Sequence, residues 1–443
     1  MIDAMCGSLT VPEDRATGAG RTISLAIAVV KATGRKSSPD ALFFLAGGPG
    51  QSALDTYPML AGSFSKVNLT HDIVLVDQRG TGRSAPLVCP EADVEGTTVD
   101  PAEQLARVGR CRRELEGHAD LRQYTTAIAM DDLDDVRAAL GYATIDLYGA
   151  SYGTRAALVY LRRHEPHVRA VVVDGVAPPG WVLSSTFAVD GQRALDQIFA
   201  RCEADGACHE AFPDLVGSLT ALLAREKSDV AIADPTTGAS RTVTVTRDTL
   251  AATIHALSYE SETAALLPLL IHSAGRTGDL RPLAAQSLLL ADELKIAVGE
   301  HFAVVCNEDA PYLDPARIVT SAAPTYLGAA ASGRYVEECE GWPRATVTPS
   351  DRSAVTSAVP VLLLSGELDP VTPPSNAAMA AHTLSNSLEV TVPGEGHGAL
   401  QRSCTRRIVD DFLERGSVAG LSVACLRDAR PMRFFTSFAG PQP

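Results

Sequence analysis

Three apolar runs in this chain each stop at a glycine-rich turn: "ALFFL" (Ala41 to Leu45) before "AGGPGQS", the run that opens "DIVLVDQRGTGRS" (Asp72 to Ser84), and the run that opens "TIDLYGASYGT" before Ser151. Runs this short and this evenly apolar read as strands buried on both faces, since a half-exposed strand alternates and an amphipathic helix repeats at 3.6 residues. Helical patterns lie between them. "MDDLDDVRAALGY" (Met130 to Tyr142) has apolar residues at helical spacing, acids in its first turn and Gly141 placed as a C-cap. "VRAVVVDGVAPP" then supplies another buried strand. Strands alternating with helices predict an α/β fold, a mostly parallel sheet with helices on both faces.

From about Trp181 to Pro343 the pattern turns helical, in "TFAVDGQRALDQIFARC", "LVGSLTALLARE" and "TAALLPLLIHSA". Strand patterns resume at "VPVLLLSGELDP" (Val359 to Pro370) and "LEVTVPGEGHG" (Leu388 to Gly398). The expected organisation is a sheet domain split between residues 1–180 and 351–443, with a mainly helical cap inserted over 181–350. At 443 residues the chain exceeds what one core usually serves, which agrees with an insertion.

A formal net charge of -15 and no cluster of Lys and Arg argue against nucleic acid as a partner. No apolar stretch reaches the roughly 18 residues of a membrane span. "MIDAMCGSLTVPED" shows neither a charged n-region nor an apolar h-region, so the expectation is a cytoplasmic protein or one whose leader lies outside this numbering. Cysteine points the other way. The nine cysteines offer local pairs, Cys89 with Cys111, Cys202 with Cys208, Cys306 with Cys339 and Cys404 with Cys425, leaving Cys6 over. Disulfides would imply export to an oxidising compartment, and free buried thiols would imply the cytoplasm. Without a Cys-x-x-Cys or His-x-x-x-His pair, no metal is expected, and nothing calls for another cofactor.

Gly149-Ala150-Ser151-Tyr152-Gly153 is a G-x-S-x-G between a predicted strand and a predicted helix, the setting of a nucleophile elbow. A serine hydroxyl needs a base to take its proton and a carboxylate to orient that base, here expected in the order Ser, acid, His. Asp369 follows a buried strand in "LLLSGELDPVTPP", and His397 follows another in "VPGEGHGAL". Asp174, at the end of "AVVVDG", and Glu367 remain rival acids. For the oxyanion, the Tyr152 amide and an amide of "AGGPG" are expected, Gly48 first and Gly47 close behind. Asp77 and Arg79 read as structural, an ion pair and turn lining the site.

With these residues assembled, "GGPG", "DQRGTGRS", "GASYGT", "GELDPVTPP" and "GEGHG" resemble, in order and over nearly the whole chain, the α/β-hydrolase superfamily. Within it, the resemblance is to the proline iminopeptidase and tripeptidyl aminopeptidase-like group. It implies a triad of Ser151, Asp369 and His397, an oxyanion hole of Gly48 and Tyr152, and secreted, disulfide-bearing relatives. Ala46 stands where proline-cutting members carry a histidine, so the narrower proline specificity is not implied. Members that bind a substrate ammonium use cap carboxylates, and Glu308 and Asp309 are the candidates, a solvated acidic turn or a helix cap being the alternative reading. The expected activity is a serine hydrolase working through an acyl-enzyme on a small peptide or ester: an aminopeptidase first, a carboxylesterase second, a silent binding protein last. A dehalogenase or epoxide hydrolase would need Asp at position 151.

Overall fold

A computed structural model describes residues 2–89, 92, 101–293, 296–328 and 330–441. The main sheet contains β1 (Met5–Pro12), β2 (Thr22–Val30), β3 (Ala41–Leu45), β4 (Ile73–Val76), β5 (Ile145–Ala150) and β6 (Val168–Asp174). After a two-stranded hairpin, β7 (Ser228–Ala233) with β8 (Ser240–Val245), it is completed by β9 (Val361–Gly366) and β10 (Ser387–Val392). The strand order is β1-β2-β4-β3-β5-β6-β9-β10, with β2 antiparallel to both its neighbours and the remaining pairs parallel.

The central strands are apolar at every position because both faces are covered. Phe43 and Leu45 of β3 point into one core with Leu147, Val173 and Leu363, while Leu42 and Phe44 join Tyr148, Val172 and Leu364 in the other. Helices α1 (Ala53–Leu60), α2 (Pro101–Glu116), α3 (Thr126–Leu140) and α4 (Tyr152–His164) connect the early strands. Thr125 caps α3 by accepting from the Ile128 N–H, and Gly141 closes it in the left-handed conformation, as the sequence suggests.

Parallel register decides where the loops go. Leu45 pairs with Gly149, Gly149 with Val173, Asp174 with Leu364, and Gly366 with Val392. The loops after β3, β5, β6, β9 and β10 therefore emerge along one carboxyl edge, where ligands bind in open α/β sheets.

The inserted span between β6 and β9 divides between two cores. Its first part, from α5 (Phe187–Ala204) through the helices Arg247–Leu257 and Leu267–Thr277, has a core of its own containing Leu195, Ile198, Ile254 and Ile271. The β7–β8 hairpin, read from sequence as helical, belongs here. The returning part differs: Phe302, Val305 and Cys306 of helix Val298–Glu308, with Tyr335, Cys339 and Trp342, pack into the sheet's core rather than the cap's.

Cys89–Cys111, Cys202–Cys208, Cys306–Cys339 and Cys404–Cys425 are bonded, with Cα separations of 5.4, 5.1, 5.2 and 5.8 Å. Cys6 is exposed and is the free cysteine among the described residues. Among the described residues no helix is long and apolar enough to cross a membrane.

Asp77 and Arg79 are structural, but they do not pair with each other. Arg79 is fully buried and forks onto both oxygens of Asp132 at 2.7 and 2.8 Å, while also donating to the carbonyls of Glu13 and Gln123. Asp77 instead accepts from the Ser52 hydroxyl and from the Leu54 and Arg83 amides, bracing the loops after β3 and β4. Arg79→Met would leave the Asp132 carboxylate short of its buried partner, a loss of about 3–5 kcal/mol measurable as a lowered urea midpoint.

Candidate active site

Ser151 follows β5 directly and precedes the first turn of α4. Its backbone has φ 55 and ψ -124, a conformation L-residues avoid, at a cost on the order of 1–3 kcal/mol. That turn is possible because β5 and α4 touch through glycines. A Cβ on Gly149 would overlap the Gly153 carbonyl, and one on Gly153 would overlap the Leu45 carbonyl of β3. The positive end of α4 lies under the serine and favours developing negative charge there.

Ser151 and His397 converge on the turn after β6. The Ser151 N–H donates to the Asp174 carbonyl at 2.9 Å, and a Cβ on the next residue, Gly175, would lie 3.1 Å from His397 Cε1. Both Ser151 and His397 are half-buried. His397 Nδ1 lies 2.8 Å from Asp369 Oδ2. Asp369 is fully buried and also accepts from the Val371 and Thr372 amides at 2.8 and 2.7 Å and from the Thr372 hydroxyl at 2.8 Å. Burial pushes this carboxyl up, but the imidazole and the two amides more than offset it and hold it below its ordinary value. Burial likewise pushes the imidazole down, but the Asp369 charge and hydrogen bond together with the Asp174 and Glu260 charges outweigh it, so His397 titrates above its ordinary 6.5.

The rival acids have other tasks. Asp174 accepts from the Ala399 and Leu400 amides at 2.8 and 3.0 Å and from the Tyr148 hydroxyl at 3.0 Å, so it fastens the chain just beyond His397. Glu367 is exposed and accepts from the Gly394 amide. Thr372, whose hydroxyl is 3.1 Å from His397 Nδ1, was not singled out from sequence. The only available signal was its place three residues after the acid.

At the oxyanion position, the Tyr152 N–H opens α4 and so lies among the amides without an acceptor inside the helix. A Cβ on Gly47 would lie 3.1 Å from the Ser151 Cβ, so "AGGPG" does border the serine. The Gly47 N–H is taken by the Gln51 side chain at 3.1 Å, which favours Gly48 of the two. The inserted span steadies this loop: the Ala297 N–H donates to the Gly50 carbonyl at 2.9 Å, and His301 Nδ1 lies 3.2 Å from the Pro49 carbonyl.

The expectation that Glu308 and Asp309 receive a substrate ammonium finds no support in this geometry. Both are buried. Asp309 is forked by Arg155 at 2.8 and 3.1 Å and accepts from the Leu183 amide. Glu308 accepts from the amide and hydroxyl of Thr126, which also bonds the Tyr152 hydroxyl at 2.7 Å. These acids brace the first turn of α4 from behind. A cavity of about 580 Å³ beside them is lined by Thr126, Arg155, Val159 and Glu308 but by none of Ser151, Asp369 and His397. Elsewhere, Asp134, His164 and His167 bring possible metal-ligating atoms within 4.8 Å of one another. The Asp134 carboxylate is already engaged by Arg137 and Tyr160, and the guanidinium opposes a dication there.

A family model described as alpha/beta hydrolase fold matches residues 40–228, and one described as TAP-like protein matches residues 323–425. The chain has the α/β-hydrolase fold, and its residues 323–425 resemble TAP-like proteins. A tripeptidyl aminopeptidase of Streptomyces coelicolor is 37% identical over 191 residues, 39% of this chain and 35% of that protein. The serine protease Hip1 of Mycobacterium tuberculosis is 32% identical over 192 residues, 40% of this chain and 36% of that protein. Carboxylesterase B of M. tuberculosis is 30% identical over 224 residues, 46% of this chain and 43% of that protein. These matches span less than half the length of each relative. Among solved structures, a proline iminopeptidase of Mycobacterium smegmatis aligns over 93% of this α/β-hydrolase and 99% of its own chain, at 15% identity with a TM-score of 0.42.

A general base at His397 would have to be neutral, so activity through it would be lost as pH falls through its raised pKa. The acid limb of the kcat/KM profile is expected to have its midpoint above 6.5. Asp369→Asn, which removes the charge that raises and orients the ring, should lower kcat by about 10⁴-fold in steady-state assays.

Proposed function

We propose that this α/β-hydrolase cleaves acyl bonds through a covalent intermediate, as an aminopeptidase releasing short N-terminal units from peptides. The observation that carries the hydrolase reading is the Asp369–His397 bond at 2.8 Å, with the imidazole beside the turn after β6 that also receives the Ser151 N–H. In this mechanism His397 takes the Ser151 proton as Oγ attacks the carbonyl carbon. The tetrahedral oxyanion is received by the Tyr152 and Gly48 amides, and the imidazolium returns the proton to the leaving amine. Water then repeats the sequence on the acyl-enzyme. Similarity to a protein named tripeptidyl aminopeptidase and to one named serine protease supports a peptide substrate.

A carboxylesterase is the second reading, favoured by the similarity to carboxylesterase B. The triad chemistry does not depend on the leaving group, so the choice lies with the inserted span. Four disulfides favour a secreted or periplasmic protein over a cytoplasmic one.

Chromogenic aminoacyl, tripeptidyl and acyl substrates, each with free and blocked amines, separate the two readings. The aminopeptidase reading expects turnover of the free-amine peptides, loss of turnover on blocking, and poor hydrolysis of simple aryl esters. Equal rates on free and blocked amines would overturn it. Ser151→Ala is expected to abolish every activity in the panel.

A further inference from the structure

The acid and the histidine leave the sheet where it has least to offer them. Asp369 follows β9, and His397 follows β10, the last strand of the order, which pairs only with β9. Asp174 fastens the histidine loop from the sheet side through Ala399 and Leu400. The two loops are also bonded to each other, the Leu368 N–H donating to the Glu395 carbonyl at 2.8 Å and the Gly394 N–H to the Glu367 carboxylate at 2.8 Å, and the inserted span reaches both.

Arg193 on α5 forks its guanidinium onto backbone carbonyls of the acid loop: Nη1 donates to Glu367 O at 3.0 Å and Nη2 to Asp369 O. Gln197, one turn along α5, accepts from Nη1 at 2.7 Å and fixes the fork. Leu368, the residue between those two carbonyls, is 1% exposed and packs in the insertion's core rather than either core of the sheet. On the histidine loop, the His397 N–H donates to the Tyr259 carbonyl at 2.6 Å, and the Tyr259 ring meets the imidazole edge-on with centroids 5.3 Å apart. Gly396 approaches so closely that a Cβ there would overlap the Tyr259 carbonyl.

We propose that the inserted span is part of the proton-transfer machinery, with Arg193 and the Ser258–Tyr259 turn as positioning residues for Asp369 and His397. This rests on the triad reading. Both loops are held by the insertion as well as by the sheet, Leu368 packing in the insertion's core and Ala399 and Leu400 in a core of the sheet, so the 2.8 Å Asp369–His397 contact lies where two packed cores meet. Arginine is suited to the task because its planar fork reaches two carbonyls at fixed spacing, which a lysine ammonium does not reproduce. A displacement of about 1 Å at such a joint costs up to about 100-fold in rate.

The test compares Arg193→Met, which removes both donors, with Arg193→Lys, which keeps the charge and loses the fork. Arg193→Met should lower kcat about tenfold or more while KM stays within about twofold. Arg193→Lys should fall between it and the wild type. In Arg193→Lys the acid limb of the kcat/KM profile should also move to lower pH, because a looser Asp369 raises His397 less. In both variants the low-field proton NMR signal of the His397 Nδ1–H should weaken or shift upfield. A merely structural arginine would lower the melting temperature and leave the pH profile and that signal in place. If Arg193→Met does not fold, Arg193→Lys carries the same criteria. A kcat within about twofold of wild type, or a change confined to KM, overturns the proposal. Ser151→Ala separates the two failures: activity surviving in it removes the triad reading itself, whereas an inactive Ser151→Ala beside unaffected Arg193 variants removes only the role of the insertion.

Discussion

The whole carboxyl edge is referenced to one close contact, the place where the first turn of α4 rests against β3 and β5 with no side chain between. Gly149 and Gly153 allow it: a Cβ on Gly153 would force the helix away from the Leu45 carbonyl of β3, and one on Gly149 would force the helix's Gly153 carbonyl away from β5. With α4 seated, Ser151 has nowhere to go but into its positive-φ turn, and Tyr152 presents its amide beside it. Thr154 then ties this turn to the next loop, donating to the Ser151 carbonyl and accepting from the Ala177 amide at 2.6 and 2.7 Å. The serine is thus placed by backbone packing, and its neighbours are placed by register.

Two buried aspartates at this edge show how partners, rather than burial, decide a carboxylate's role. Asp174 and Asp369 are both almost completely buried at the ends of neighbouring parallel strands. Burial raises Asp174 above its ordinary value, and its two amides and the Tyr148 hydroxyl do not fully reverse that. Asp369 has two amides and a hydroxyl as well, but the imidazole, whose charge also reaches Asp174, bonds Asp369 directly, and with that bond it falls below its ordinary value. The first carboxylate is a fastener for backbone, the second a charge held for a neighbouring ring. Nothing in either residue type distinguishes them.

This is also why some of the molecule was readable from sequence and some was not. The strands, the elbow, the order of serine, acid and histidine, and the four cysteine pairs each leave a local mark: an apolar run, a glycine spacing, a post-strand position, a short separation. The β7–β8 hairpin is half exposed and polar, so it carries no buried-strand signal beside the strong helices around it. Arg79 finds Asp132 rather than Asp77, and Glu308 finds Thr126, because partners 53 and 182 residues away are chosen by packing. Arg193 and Tyr259 act through backbone carbonyls of distant loops, a kind of contact that no residue type announces.

Helix Val298–Glu308 shares the sheet's core, carries Cys306 of the Cys306–Cys339 bond, and presents His301 to the Pro49 carbonyl just beyond Gly48. One covalent link therefore stands behind the loop that supplies the candidate oxyanion amide. Breaking that link would free the helix that bears on this loop, so the bond that ties the helix into the core also bears on where the loop sits.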